Sequence, residues 1–368
     1  MVETLLRAGG GSILRLCRDG VRIVGRDNGV LTQTPDAVSD TPRTGGLGND
    51  IMSDRVLLGD LSNGAFLKLA LAEPGRRPEQ VAFYACQSVA DFESAVAGHV
   101  ADHGNPALAG AAFSTSGWEV DGQIDLVHYG FSLDRHDIAV FLGTRRISVV
   151  NDFVAKALAI PALGEAEKRH VCGPAGLPGD VVAVVGPTAG LGGAFLSPNG
   201  RGGWVATHAE GGHADFAPCN ALEIEILKLM MDKYGHVSRE CAVSAPGLPE
   251  LWRCLSIIAG EALEPVAVEE VMARAHGGDV RALQAVRVQT ELYAGVASDV
   301  ALTTGAKGGV YLSGSHLDAL GELFDHDVFA RRFYDKGRVS SYVRDIPVYR
   351  IIADEPEIVG ISTLFDED

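Results

Sequence analysis

The chain has 368 residues, is 46% hydrophobic, and carries 31 basic against 48 acidic residues, a formal charge of −17. That length supports a large core in two domains or lobes, while the acidic balance argues against a nucleic-acid partner or an anionic membrane, both of which call for a basic surface. Six scattered cysteines without Cys-x-x-Cys spacing read as reduced thiols, no window approaches the roughly 18 apolar residues of a membrane span, and no signal-peptide pattern opens the chain, so the expected address is the cytoplasm.

Residues 1–53 hold one short apolar patch, Ser12 to Cys17, and then a Gly, Thr, Asp and Pro-rich run with no sustained period. A disordered or non-native extension is expected there. From Arg55 onward short aliphatic runs alternate with longer helical patterns, the rhythm of an α/β fold. Expected strands are Val56–Gly59, Ala65–Ala72, Val81–Cys86, Ala109–Ser114, Ile147–Val150, Val181–Val185, Gly193–Leu196, Gly309–Ser313 and Pro347–Ile352. Expected helices are Val89–Gly98, Phe153–Ala159, Ala221–Tyr234, Leu248–Ala259, Val268–His276 and Ala282–Leu302. Two strand-rich stretches, beginning at Val56 and Val181, each lead into a glycine-containing turn, which predicts a duplication with a ligand between two similar lobes.

Val149-Val150-Asn151-Asp152-Phe153 ends a buried strand in an amide and a carboxylate just before a helix. Open α/β sheets bind ligands at the carboxyl ends of their strands. A carboxylate there can accept a proton from an attacking hydroxyl during phosphoryl transfer, and an amide can both donate to and accept from sugar hydroxyls. The plainer role for Asp152 is to cap the following helix. Glu210-Gly211-Gly212-His213-Ala214-Asp215 gathers two carboxylates and an imidazole around a glycine pair that lets the backbone approach a ligand. Such mixed donors and acceptors suit a polyhydroxylated sugar. A metal site and a structural turn are the other readings, although Glu-x-x-His on a glycine loop lacks the helical spacing of a zinc protease. His236-Val237-Ser238-Arg239-Glu240 adds another carboxylate ahead of the Pro246-Gly247 turn, where a helix opens.

Asn-Asp-Phe followed by Ala159-Ile160-Pro161, Glu-Gly-Gly-His-x-Asp-Phe-Ala-Pro at 210–218, Gly-His-Val-Ser-x-Glu at 235–240, and Asp335-Lys336-Gly337-Arg338 leading to Asp345-Ile346-Pro347-Val348-Tyr349 occur in the order and spacing of bacterial glucokinases. From about Asp54 to the C-terminus the chain resembles that family. The resemblance implies a two-lobed actin-like, ribonuclease H-like α/β sugar-kinase fold with a ligand cleft between the lobes. Residues 54–162 plus 351–368 would form the small lobe and 163–350 the large one. The implied activity is ATP-dependent phosphorylation of glucose or a similar hexose at its 6-hydroxyl, with Asp152 as general base and Asn151, Glu210, His213 and Glu240 as sugar ligands. ATP would lie between a first loop holding Gly59, Asp60 and Gly64 and a second holding Gly186, Thr188, Gly190 and Gly192, with Gly314 on the adenosine side. Mg²⁺ would be held through water by Asp60. Homodimerisation through the large lobe is implied by likeness alone.

The phosphate loops depart from the family pattern. The first should read Gly-Asp-x-Gly-Gly-Thr-Asn-x-Arg, a turn whose amides face phosphates, but here it reads Gly59-Asp60-Leu61-Ser62-Asn63-Gly64-Ala65-Phe66-Leu67-Lys68. The second, Gly-x-Gly-Thr-Gly-Leu-Gly, is replaced by Gly186-Pro187-Thr188-Ala189-Gly190-Leu191-Gly192, and the adenosine-side turn is Ser313-Gly314-Ser315-His316. Each lost charge-assisted phosphate contact costs on the order of 1.5–3 kcal/mol. A slow kinase is therefore expected, with a catalytically silent glucose-binding sensor as the alternative.

Overall fold

A computed structural model gives the structure of the protein and describes residues 55–64, 66–117, 119–176, 179–262 and 264–366, with the backbone of three short strands, Leu5–Ala8, Ser12–Cys17 and Gly20–Val24. Those three strands extend the edge of the larger sheet. The expectation for residues 1–53 otherwise lies outside the described residues.

The first half of the chain builds a five-stranded sheet in the order Ile147–Asn151, Leu108–Thr115, Arg55–Leu61, Phe66–Ala72, Ala82–Ala85. The first three run parallel, Phe66–Ala72 is antiparallel to Arg55–Leu61, and Ala82–Ala85 is antiparallel to Phe66–Ala72. Helix α1 (Val89–Asp102) starts where the Ser88 side chain accepts from Asp91 N, and it buries Phe92, Ala95, Val96 and His99, spaced three and four apart on one face, against this sheet. Helix α2 (Arg135–Leu142) follows a small three-stranded sheet, and α3 (Asp152–Ala159) leaves the end of strand Ile147–Asn151.

The same plan then repeats. Strands Val182–Pro187, Leu191–Pro198 and Trp204–Ala209 form an antiparallel set, and Gly309–Leu312 and Val348–Ile351 add in parallel on the other side of Val182–Pro187. Strand Lys168–Cys172 closes that edge antiparallel. The duplication expected from the sequence is thus present, with Arg55–Leu61 and Val182–Pro187 in equivalent positions. Helices α4 (Ala221–Tyr234), α5 (Gly247–Ala259), α6 (Val268–His276) and α7 (Val280–Thr304), then α8 (Ser315–Leu320), α9 (His326–Tyr334) and α10 (Ser340–Arg344), cover the outer face of the second sheet. Helix α11 (Pro356–Ser362) returns to the first.

Between the two sheets lie α3 and α11. Every residue of α3 is buried, as expected of a helix with structure on all sides. One continuous core joins Val56, Leu58 and Ala112 of the first sheet to Val182, Val184 and Leu196 of the second through Phe153, Val154, Ile358 and Ile361. Each such side chain contributes roughly 1.5–3 kcal/mol of burial. The two helices touch backbone to backbone, because a Cβ on Gly360 would stand 1.7 Å from the Ala155 carbonyl oxygen. Among the described residues no helix is long and apolar enough to cross a membrane.

Candidate active site

Strand Ile147–Asn151 is buried on both faces up to its last residue, Asn151, and passes directly into α3 at Asp152. The capping role falls to Asn151, whose Oδ1 accepts from Phe153 N at 2.9 Å. Asp152 is therefore not the cap. It is the first helical residue, 8% exposed, and its Oδ2 accepts from Lys156 Nζ at 3.0 Å, one turn along α3. With its oxygen spent on the cap, Asn151 keeps its amide N–H groups to donate.

The other sugar-ligand candidates gather around Leu191 and Gly192. The Phe153 ring lies so close to Gly192 that a Cβ there would be 2.1 Å from it, which brings the Asn151-Asp152-Phe153 junction onto this strand. Glu240, half-buried, accepts from Leu191 N at 2.9 Å through Oε2 and sits against Gly190. Gly212 packs on the Leu191 carbonyl, which carries Glu210 and His213 to the same place. The 210–216 loop is fixed to the 236–240 loop by an antiparallel bridge between Asp215 and Ser238 and by Arg239 N donating to Ala214 O. Glu210 hydrogen-bonds His208 Nε2 at 2.6 Å, and this bond holds its carboxyl below the ordinary carboxylate range. His213 Nε2 is 3.8 Å from Glu210 Oε2, and both side chains face solvent. Three separate stretches of chain, 151–153, 210–213 and 240, thus meet at the 190–192 turn.

The glycines assigned to the nucleotide are all in tight contact with protein. Gly186 faces the Ser313 carbonyl and Gly314, at φ +154°, faces that of Pro187, so neither tolerates a Cβ. Gly59 abuts the Phe113 ring, and Gly64, at φ +72°, abuts His128. Residues 186–192 make a tight hairpin in which Thr188 N donates to Gly190 O at 2.8 Å and Gly190 N donates to Thr188 Oγ1 at 3.2 Å. The displaced threonine hydroxyl therefore braces its own turn. Behind this hairpin, His316 shares a 2.8 Å hydrogen bond with Gln289, and Gln289 Nε2 donates to the carbonyls of Ala242 and Ser244.

Asp60 ends strand Arg55–Leu61 fully buried. Its Oδ2 lies 3.1 Å from Lys68 Nζ, which also contacts the Glu355 carboxylate. Burial first, and then the charge of Glu357, push the Asp60 carboxyl up to about 6 against the pull of Lys68. Burial alone would weaken the Lys156 ammonium, but Asp152 and Glu357, the latter 3.1 Å away, hold its pKa above the ordinary lysine range. A ladder of six buried or partly buried charges thus runs from α3 to the first loop: Asp152, Lys156, Glu357, Asp60, Lys68, Glu355.

As a Mg²⁺ site this cluster does not fit. Three carboxylates converge, with Asp60, Glu355 and Glu357 ligand atoms within 4.8 Å of one another, but lysine ammoniums already stand against each of them. The expected water-mediated role of Asp60 toward Mg²⁺ has no room beside Lys68. Sequence reasoning passed over Lys68, Lys156, Glu355 and Glu357. The available signal was Lys156, the one cation in the apolar run Phe153–Ile160.

Comparison with known proteins shows the family and the fold. The family model described as Glucokinase matches residues 57–368. A glucokinase-like protein of Caulobacter vibrioides is 36% identical over 305 residues, covering 82% of this chain and 94% of its own. The glucokinase of Chromobacterium violaceum is 37% identical over 312 residues, covering 83% and 88%. Among solved structures, a glucokinase from an Antarctic psychrotroph superposes with a TM-score of 0.76 at 22% identity over 85% of this chain and 98% of that one. The Balamuthia mandrillaris glucokinase, solved in complex with glucose, gives 0.70 at 18% over 85% and 93%.

Proposed function

The chain belongs to the glucokinase family, and from that premise we infer that it transfers the γ-phosphoryl group of ATP to the 6-hydroxyl of glucose. Asp152 is the general base. It accepts the hydroxyl proton as the sugar oxygen attacks phosphorus, a role worth roughly 10²–10⁴ in rate. The observation that carries this assignment is the division of labour at the strand end: Asn151 caps α3, and the Asp152 carboxylate is held by Lys156 one turn along the helix.

Asn151, Glu210, His213 and Glu240 hold the sugar. Glu210, kept ionised by His208, accepts from hydroxyls, and Asn151 donates to them. ATP enters between the Asp60 turn and the 186–192 hairpin, with Gly314 on the adenosine side. Mg²⁺ would be brought by the nucleotide and would supply charge neutralisation at its phosphates, since Asp60 is already engaged by Lys68. The small lobe (54–162 plus 351–368) and the large lobe (163–350) close on the sugar. A cytoplasmic setting suits five free cysteines among the described residues.

The deciding test is a coupled assay for glucose 6-phosphate with millimolar ATP, Mg²⁺ and glucose, comparing the protein with Asp152→Asn, and a thermal-shift measurement of glucose binding on both. Turnover that collapses in the variant while glucose still binds supports the reading. Glucose binding without turnover in the unaltered protein would replace it with a glucose-sensing role, which the altered phosphate loops favour.

A further inference from the structure

Asp60 and Lys68 are direct partners on neighbouring antiparallel strands, so both side chains project from the same face with their Cβ atoms roughly 5 Å apart. On that face Asp60 is fully buried, and neither of its carboxylate oxygens is in a well-formed hydrogen bond among the described residues. The Lys68 ammonium, whose side chain is 12% exposed, answers the charge at 3.1 Å and is also ion-paired with the Glu355 carboxylate. Glu355 is held for this contact at a cost: it is a non-glycine residue at φ +48°, the left-handed region, just ahead of α11. Glu357, two residues on, completes the acidic set from the first turn of α11.

Three carboxylates brought this close are the donor chemistry of a hard divalent cation, which takes oxygen ligands at about 2.0–2.6 Å. An ammonium within hydrogen-bonding distance of two of them stands in the same space, and two cations so close repel strongly. We infer that Lys68 is a resident cation: it occupies the place between Asp60 and Glu355 that a divalent ion would take, and it excludes that ion from the nucleotide-free protein. The first loop is thus built around a charge carried by the chain itself. The exclusion is specific to Lys68. Four carboxylates, counting Asp152, share only two ammoniums along the ladder, so the surroundings remain electronegative and would draw a divalent ion once Lys68 withdrew.

The test is Mn²⁺ alone, titrated into the full-length protein without sugar or nucleotide and followed by electron paramagnetic resonance. Its readout is independent of whether the protein is a kinase. The unaltered protein and Asp60→Asn are expected to give the same isotherm. Lys68→Met is expected to gain a Mn²⁺ site at least tenfold tighter than any in the unaltered protein, and Lys68→Met/Asp60→Asn to lose it. Should Lys68→Met fail to fold, Lys68→Gln, which keeps the stem and a donor, takes its place. A site in the unaltered protein that vanishes in Asp60→Asn would overturn the inference, and so would a folded Lys68 variant that gains none.

Discussion

Lys156 Nζ lies 3.0 Å from Asp152 Oδ2 and 3.1 Å from Glu357 Oε1, so a single buried ammonium ties the catalytic-base candidate on α3 to the first turn of α11. The geometry comes from helix periodicity: residues 152 and 156 share a face one turn apart, and Gly360 lets α11 approach that face closely. Lys156 also lies over the Phe153 ring, 4.3 Å from its centroid.

Removing that ammonium leaves two buried carboxylates without a common partner. Lys156→Met should lower unfolding free energy by about 3–5 kcal/mol, the usual loss when one member of a buried ion pair is deleted. Lys156→Met/Glu357→Leu should recover part of it. Urea denaturation of both variants checks this, and a double variant no more stable than the single would show that Glu357 is not coupled to Lys156.

Gly360 has no room for a side chain against Ala155. Gly360→Ala should push α11 off α3 and cost about 1–3 kcal/mol by overpacking. Because Glu357 rides on the same helix, steady-state kinetics should also show Gly360→Ala losing turnover, while Gly98→Ala, where nothing lies within 4 Å, should keep both stability and turnover; equal turnover in the two variants would count against a role for the α3–α11 contact.

His316 supplies a pH dependence. Burial drives its imidazole down to about 4 from an ordinary value near 6.5. Below 6.5 the unfolded chain takes up a proton that the folded chain refuses, so the contribution is full above 6.5 and is lost as pH falls toward 4. The loss is on the order of 3 kcal/mol. Stability measured by denaturant at pH 7, 5.5 and 4.5 should fall more steeply in the unaltered protein than in His316→Leu; parallel curves would rule out this residue as the source.

Glu240 accepts from Leu191 N, and the proposed function gives it a second duty as a sugar ligand. Glu240→Gln gives up one charge-assisted bond of roughly 1.5–3 kcal/mol, so KM for glucose should rise about 10- to 100-fold. Steady-state kinetics with varied glucose would show it, and an unchanged KM would remove Glu240 from the ligand set.

The alternation of aliphatic runs with amphipathic helices was legible in the sequence because burial on a sheet and on a helix face each imposes its own period on the chain. The main strands of both sheets and the strand end at Asn151-Asp152 could be placed that way, whereas Glu210, His213 and Glu240 stood out by residue type around glycine turns and took their expected role from the resemblance. Helices α2, α8, α9, α10 and α11 and strands Glu119–Val120, Gln123–Leu126, Phe131–Asp134, Lys168–Cys172 and Trp204–Ala209 escaped notice, being too brief or too mixed to carry a period. What only the tertiary structure decided is the charge ladder. Lys68 and Glu355 are far apart in sequence, as are Lys156 and Glu357, and nothing local in either segment requires a partner. Their pairing exists because α11 returns at the end of the chain to lie between the two sheets, where water is excluded and each buried charge must be met by another.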